Sequence, residues 1–266
     1  MPKMDYVAKN KAAWDASAKL HKEAKRWSEL KEGFKDPSFK TFDETATKML
    51  QEINLSGKTV AQLGCNNGRE TLSLLNMGAG SATGFDQSSE FLKQAEELRE
   101  ISGGNARFVT ANILNLPLEF GSTFDLVVIT IGVLNWIPDL NGLMETAQTL
   151  LKPGGELFIY ETHPVLDMLE PEGDAPFELQ LSYFRKDPYV IEDAITYTKE
   201  KPEEKAESYW FFHPLGAIIS AVISQQMTLT HFEEYGHSNR EEIYDKYAQR
   251  AAKIPMCFTL KARKEA

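Results

Sequence analysis

At 266 residues, 42% hydrophobic and 26% charged, the chain is long enough to bury a full core and is composed like an ordinary globular protein. The net charge of −10 is uneven: residues 1–40 carry ten Lys/Arg against six Asp/Glu, leaving an acidic body that disfavours broad contact with phosphate backbones. Cys65 and Cys257 imply no disulfide framework, residues 1–10 show no apolar leader, and residues 215–223 are too short to span a bilayer, so a cytoplasmic chain is expected.

Residues 3–31 lack Gly and Pro, and Tyr6, Ala13, Leu20 and Trp27 recur every seven residues. This predicts one helix with an apolar stripe, packed on the main body or closing as a flap whose Tyr6, Trp14 or His21 touches a ligand. The lysines on its other faces read as solvated. A second helix is expected over 41–53, before the turn at Ser56-Gly57.

Alternation then begins. Strands are expected at 59–63, 81–85, 107–110, 124–130 and 156–161, with helices over 69–77, 89–101 and 140–150. Residues 126–129 are uniformly apolar, as in a strand covered on both faces. Residues 164–212 break the rhythm. They hold nine aromatics and a surplus of acid over base, with short β-like runs at 179–184 and 194–198. The rhythm returns with a helix over 215–226, a strand over 228–234, a helical stretch at 240–249 and a strand over 256–262. The expected fold is α/β: a doubly wound, mostly parallel seven-stranded sheet. Residues 1–40 form an N-terminal helical flap, 41–163 and 213–266 the Rossmann-like domain, and 164–212 an inserted lid or substrate wall. A dimerisation surface or simple decoration is the other reading of the insertion, so a homodimer stays open.

The stretch Gly64-Cys65-Asn66-Asn67-Gly68 follows the first strand and opens a helix, which turns a helix N-terminus towards a ligand. A dinucleotide fingerprint needs a second glycine where Asn66 stands, so the loop suits a ligand without phosphates. Asp86, at the end of the second strand, is placed to accept hydrogen bonds from ribose hydroxyls. No phosphate-binding G-x-x-x-x-G-K-[ST] run and no metal-ligand spacing is present.

Over residues 55–163, and again over 213–262, the sequence resembles the class I S-adenosylmethionine-dependent methyltransferases. Gly64, Cys65, Asn66 and Gly68 look like that family's glycine loop, and Asp86, Gln87 and Ser88 like its ribose-binding acid and the residues after it. Asn112 and Ile113 sit where the family contacts adenine, and Thr130, Ile131 and Gly132 resemble the floor of its methyl-transfer site. Leu150-Leu151-Lys152-Pro153-Gly154-Gly155 resembles its lead into strand five. Gln62 stands where the family usually has an acid, Asn66 where it has glycine, and Asn112 where Asp is commoner.

The resemblance implies S-adenosylmethionine as cofactor, S-adenosylhomocysteine as product, and methyl transfer to an O or N atom. The motifs of DNA-base and glutamine methylation are absent after strand four, which points to a small-molecule acceptor, with no nucleic acid or membrane partner. Glu161, His163 and His213 lie near strand ends as candidate general bases, each histidine having a structural reading beside the catalytic one. The rival readings are an NAD(P)-dependent oxidoreductase, opposed by the missing middle glycine, and a non-catalytic S-adenosylmethionine binder.

Overall fold

The computed structural model describes residues 5–195 and 206–265. In place of one N-terminal helix there are two, α1 (Tyr6–Glu23) and α2 (Lys25–Gly33), hinged at Ala24, whose backbone is extended at φ −68°, ψ 145°. The break follows from packing: α1 lies on the body's upper rim, while α2 turns to drop Trp27 and Leu30 onto Leu72 and Leu98. Residues 3 and 4 of the expected helix lie outside the described residues. Helix α3 (Glu44–Ile53) starts on Asp43, whose side chain accepts from the Ala46 N–H and so satisfies one unpaired donor of the first turn.

The alternating units follow: β1 (Thr59–Leu63), α4 (Arg69–Asn76), β2 (Ser81–Asp86), α5 (Ser89–Ser102), β3 (Ala106–Thr110), β4 (Phe124–Thr130), α6 (Leu140–Leu150) and β5 (Leu151–Thr162). Strand β5 begins five residues earlier than the sequence predicts. The Lys152-Pro153-Gly154-Gly155 turn is looped out between the pairs Phe124–Leu151 and Leu126–Glu156, with Gly154 at φ +77°. The insertion holds a separate antiparallel pair, β6 (Tyr189–Ile191) and β7 (Ser208–Trp210). No strand forms at 179–184: Leu179 and Phe184 are exposed, and the N–H groups of Gln180 and Leu181 both donate to the single carbonyl of Met168 instead of to a ladder. Of the run 194–198, residues 196–198 lie outside the described residues.

Helix α7 (Leu215–Ser224) and strand β8 (Met227–Tyr235) come next, then α8 (Asp245–Ala248) and β9 (Cys257–Lys264). The helical stretch expected at 240–249 is only a 3-10 turn at Glu242–Tyr244 continued by α8.

Among the described residues the main sheet has seven strands in the order β3-β2-β1-β4-β5-β9-β8. Strands β1 to β5 are parallel, and β9 runs antiparallel to both its neighbours. Strand alternation sends Val60, Leu126 and Val128 to the α3 face, with Met49 and Leu50. It sends Ala61, Leu63, Val127 and Ile129 to the α6–α7 face, with Leu143 and Val222. Each fully buried Leu or Val of these layers contributes about 1.5–3 kcal/mol over leaving it in water. The chain order reverses between β1 and β4, and the carboxyl ends of β1, β2, β4 and β5 meet beside that switch point, where open α/β sheets place ligands.

Candidate active site at the strand ends

The loop leaving β1 is pinned to β2: the N–H groups of Gly64 and Cys65 both donate to Phe85 O, at 2.9 and 3.1 Å. Gly64 has φ +70°, and a Cβ there would stand 2.7 Å from Val133 Cγ2, so both conformation and space demand glycine. Asn66 is left-handed at φ +49°, which Asn tolerates better than most residues. The turn aims its N–H at Asp86 Oδ2, 2.8 Å away. The other oxygen of Asp86 accepts from Ser88 N at 2.8 Å. Asp86 is thus clamped between the glycine loop and the first residues after β2. Burial raises its pKa, against the two N–H groups.

Ser88 is buried and caps α5 by accepting from Phe91 N, while Gln87 beside it is half-buried. The Cys65 thiol is buried, and burial followed by the Asp86 charge pushes its pKa well up, so it stays protonated.

Beneath the loop lies a buried polar network. Gln62 Nε2 donates to Glu70 Oε2 and Thr130 Oγ1, both at 3.0 Å, and Thr71 Oγ1 donates to Gln62 Oε1 at 2.6 Å. Arg240 Nη2 reaches Glu70 Oε1 at 2.5 Å, and Arg240 Nη1 donates to Thr41 O. A buried acid, Glu70, thus sits in the first turn of α4, eight residues after Gln62, and bonds its side chain. Thr130 faces this network, and Ile131 packs against the α3-side core.

At the ends of β4 and β5, Glu161 accepts from the N–H groups of Gly132 (2.6 Å), Leu134 (3.1 Å) and Thr162 (3.2 Å). Burial pushes its pKa up to about 7, against those three donors. His213 Nε2 lies 2.8 Å from Ile137 O on the same post-β4 loop, and burial keeps the ring neutral. His163 points elsewhere. Its Nδ1 accepts from Val165 N, and its Nε2 lies 2.9 Å from Glu234 Oε1 on β8 without the alignment of a hydrogen bond. Glu161 and His213 therefore flank one loop, and His163 stands apart. Across β3, Asn112 is exposed and its Oδ1 accepts from Leu114 N, while Ile113 is buried in the main core.

Three groups that sequence reasoning missed complete the rim. Asp15 on α1 accepts from Ser88 Oγ at 2.6 Å, beside Asp86. Asp167 accepts from Trp210 Nε1 and Asn135 Nδ2, both at 3.0 Å, and burial pushes its pKa up to about 6. Arg240 is the third. None of the three carries a local signal: Asp15 follows Trp14 in sequence but lies off the apolar stripe of α1.

Helix α1 itself is the roof: Trp14 packs edge-on against Phe91 of α5 and against Trp136 after β4, with ring centroids 5.6 and 5.2 Å apart. Trp136 in turn meets Trp210 of the insertion at 5.1 Å.

The family described as "Methyltransferase domain" matches residues 54–212, more than half of the chain and the whole strand-end rim from β1 to β7. The chain belongs to the class I S-adenosylmethionine-dependent methyltransferases. Among curated relatives, this methyltransferase is 34% identical over 107 residues to a tRNA U34 carboxymethyltransferase of Campylobacter concisus, covering 40% of this chain and 36% of that protein. It is 32% identical over 142 residues to a ubiquinone biosynthesis O-methyltransferase of Erwinia tasmaniensis, covering 53% and 57%. The matched stretch thus spans little more than a third of the first relative and just over half of the second. The Burkholderia thailandensis 1,6-didemethyltoxoflavin-N1-methyltransferase, solved with S-adenosylhomocysteine, shares the fold at a TM-score of 0.59 and 13% identity, over 100% of this chain and 93% of its own.

Proposed function

We propose that this methyltransferase moves the methyl group of S-adenosylmethionine to an oxygen or nitrogen atom of a small molecule. The clamped Asp86 carries the cofactor half of the reading. A carboxylate held by two backbone N–H groups at the mouth of the glycine loop suits a vicinal diol, with Gln87 and Ser88 beside it. Gly64, Cys65, Asn66 and Gly68 then line the methionine side, Asn112 and Ile113 border adenine, and Thr130, Ile131 and Gly132 underlie the reacting centre. The bound cofactor supplies an electrophilic methyl on a sulfonium, and the chain supplies position and dryness.

Glu161 fixes the post-β4 loop through the N–H groups of Gly132 and Leu134, and His213, neutral at pH 7, is the proton acceptor best placed beside that loop. His163 takes the less direct role because it faces Glu234.

The roof carries the acceptor half. Trp14, Trp136 and Trp210 form a continuous aromatic row over the strand ends, which fits a compact acceptor. The name of the Campylobacter relative raises tRNA as the contrasting acceptor. The net charge of −10 and the acidic insertion oppose it, because nucleic-acid binding draws chiefly on cationic contacts to phosphates.

Transfer from S-adenosylmethionine labelled on its methyl group, offered separately to a cell extract's small-metabolite fraction and to total tRNA, decides between them. Label in the metabolite fraction is the expected result. Label confined to tRNA refutes the acceptor class, and calorimetry showing no S-adenosylhomocysteine binding refutes the cofactor.

A further inference from the structure

Between Glu207 and Glu233 the chain runs 25 residues without a Lys, Arg, Asp or Glu, in a protein that is 26% charged. Helix α7 lies inside that run, and its burial divides it into two faces. Ile218, Ala221 and Val222 point into the main core. Gly216, Ala217, Ser220, Ile223 and Ser224 fall within about a third of the helix circumference on the opposite side. All five are exposed, Ile223 by 55%. A surface helix ordinarily turns charged residues to water, and a helix that is neutral all round belongs in contact with protein. Among the described residues nothing covers this face.

The surface continues beyond the helix. The Tyr183 hydroxyl accepts from Leu215 N at 2.9 Å, and the Arg185 guanidinium lies 5.4 Å from the centre of the Phe212 ring, which fastens residues 183–185 beside the start of α7. Phe184, between those two anchors in sequence, is 75% exposed. At its other end α7 leads into β8, the edge strand of the sheet, and that edge is guarded. A bulge between Leu229 and His231 interrupts its register, Glu233 and Glu234 close it, and Thr228 Oγ1 is bonded to Glu265 at 2.8 Å. Such devices keep an edge from pairing with another chain. Helix α7 carries none of them.

The neutrality of the face selects its occupant. A phosphate backbone or an anionic membrane needs cations, and the bordering segment supplies Arg185 and Lys186 alone. Partners of different sequence select each other largely by complementary charge, which α7 lacks, whereas homodimer interfaces are the more apolar class. A protein of net charge −10 repels its own copy wherever acids meet acids. A two-fold contact sets each patch against itself, so self-association needs a face without charge. We propose that α7 is the contact between two copies of this chain, packed about a two-fold axis with Ser220 and Ile223 near its centre. The inference depends on neither the cofactor nor the acceptor.

Sedimentation equilibrium of the full chain over about 1–100 μM tests it. The wild type is expected to dimerise within that range. Ser220→Glu and Ile223→Glu each set like charges across the axis, at exposed positions that the core does not use. Each is expected to raise the dimer dissociation constant about tenfold or more, with an unchanged circular dichroism spectrum. Thr230→Glu, exposed on β8 but off this face, is expected to leave the dimer intact. A wild type that stays monomeric to the highest concentration overturns the proposal, and co-sedimentation of that monomer with phosphatidylglycerol vesicles gives the face to a lipid surface instead. A dimer that survives both α7 variants, or that Thr230→Glu alone dissociates, also overturns it.

Discussion

The Arg240–Glu70 pair ties a C-terminal loop to the helix that follows the glycine loop, and Arg240→Met is the perturbation that reads its strength. Glu70 is 7% exposed, and its three close partners are Arg240, Gln62 and Thr130. Removing the guanidinium leaves a buried carboxylate with two neutral hydrogen bonds and Arg69 at 4.0 Å. A single-partner deletion of this kind costs about 3–5 kcal/mol, and the remaining arginine places this one near the lower end, about 3 kcal/mol.

The assay is urea unfolding of the wild type, Arg240→Met, Glu70→Gln and the double variant. The double variant should recover at least half of the loss, because it removes the stranded charge. Burial raises the pKa of Glu70, but Arg240 and Arg69 outweigh that and hold it below the usual carboxylate value. The pair's contribution is therefore present above the unfolded pKa and is lost as pH falls through the lowered folded pKa. A loss under about 0.5 kcal/mol, or strictly additive single variants, would refute the account of a coupled buried pair.

The remaining predictions concern the rim. Asp86→Ala is expected to weaken S-adenosylhomocysteine by about 1–3 kcal/mol in calorimetry, and unchanged affinity removes the ribose assignment. Glu161 has its folded pKa raised to about 7 from the ordinary 4.5, so the native state holds more protons and stability falls as pH rises through that window. Glu161→Gln should remove about 3 kcal/mol of that decline between pH 4.5 and 7 in urea titrations, and an unchanged slope contradicts the burial argument. Gly64→Ala forces φ +70° on a residue with a Cβ and drives it into Val133, for a loss of about 1–3 kcal/mol. Adding Val133→Ala should return the steric part and leave the backbone part; no recovery means that the clash is not where the structure puts it.

The sheet was legible because its signals are local. Gly64 and Gly68 bracket the first turn, Ser88 caps α5, and a uniformly apolar β4 announces burial on both faces, so β1 to β4 and their helices sit within a residue or so of expectation. The position of Asp86 beside the loop was legible for the same reason. What failed was set by tertiary packing. Nothing near Ala24 breaks a helix; the bend exists because Trp27 and Leu30 have a core to reach. Residues 179–184 alternate like a strand but find no partner strand. Arg240 meets Glu70 across 170 residues, a pairing that no window of sequence contains. The Thr130 hydroxyl likewise meets Gln62 and Glu70, partners 68 and 60 residues away in sequence.

Helix α1 is fastened along both edges. Gln94 of α5 donates to Ala18 O, and Asn10 bonds the main chain of Tyr209 in the insertion and Trp136 O after β4. A cover hinged on one side can open over one end of a groove and stay shut over the other; a strap buckled on both sides cannot. Lifting α1 away from the β2 side also loosens Trp136 and Tyr209, which Asn10 holds. On the proposed placement of cofactor and acceptor the two share one opening, and an acceptor that seats Trp136 and Tyr209 firmly is expected to slow the departure of a cofactor it never touches.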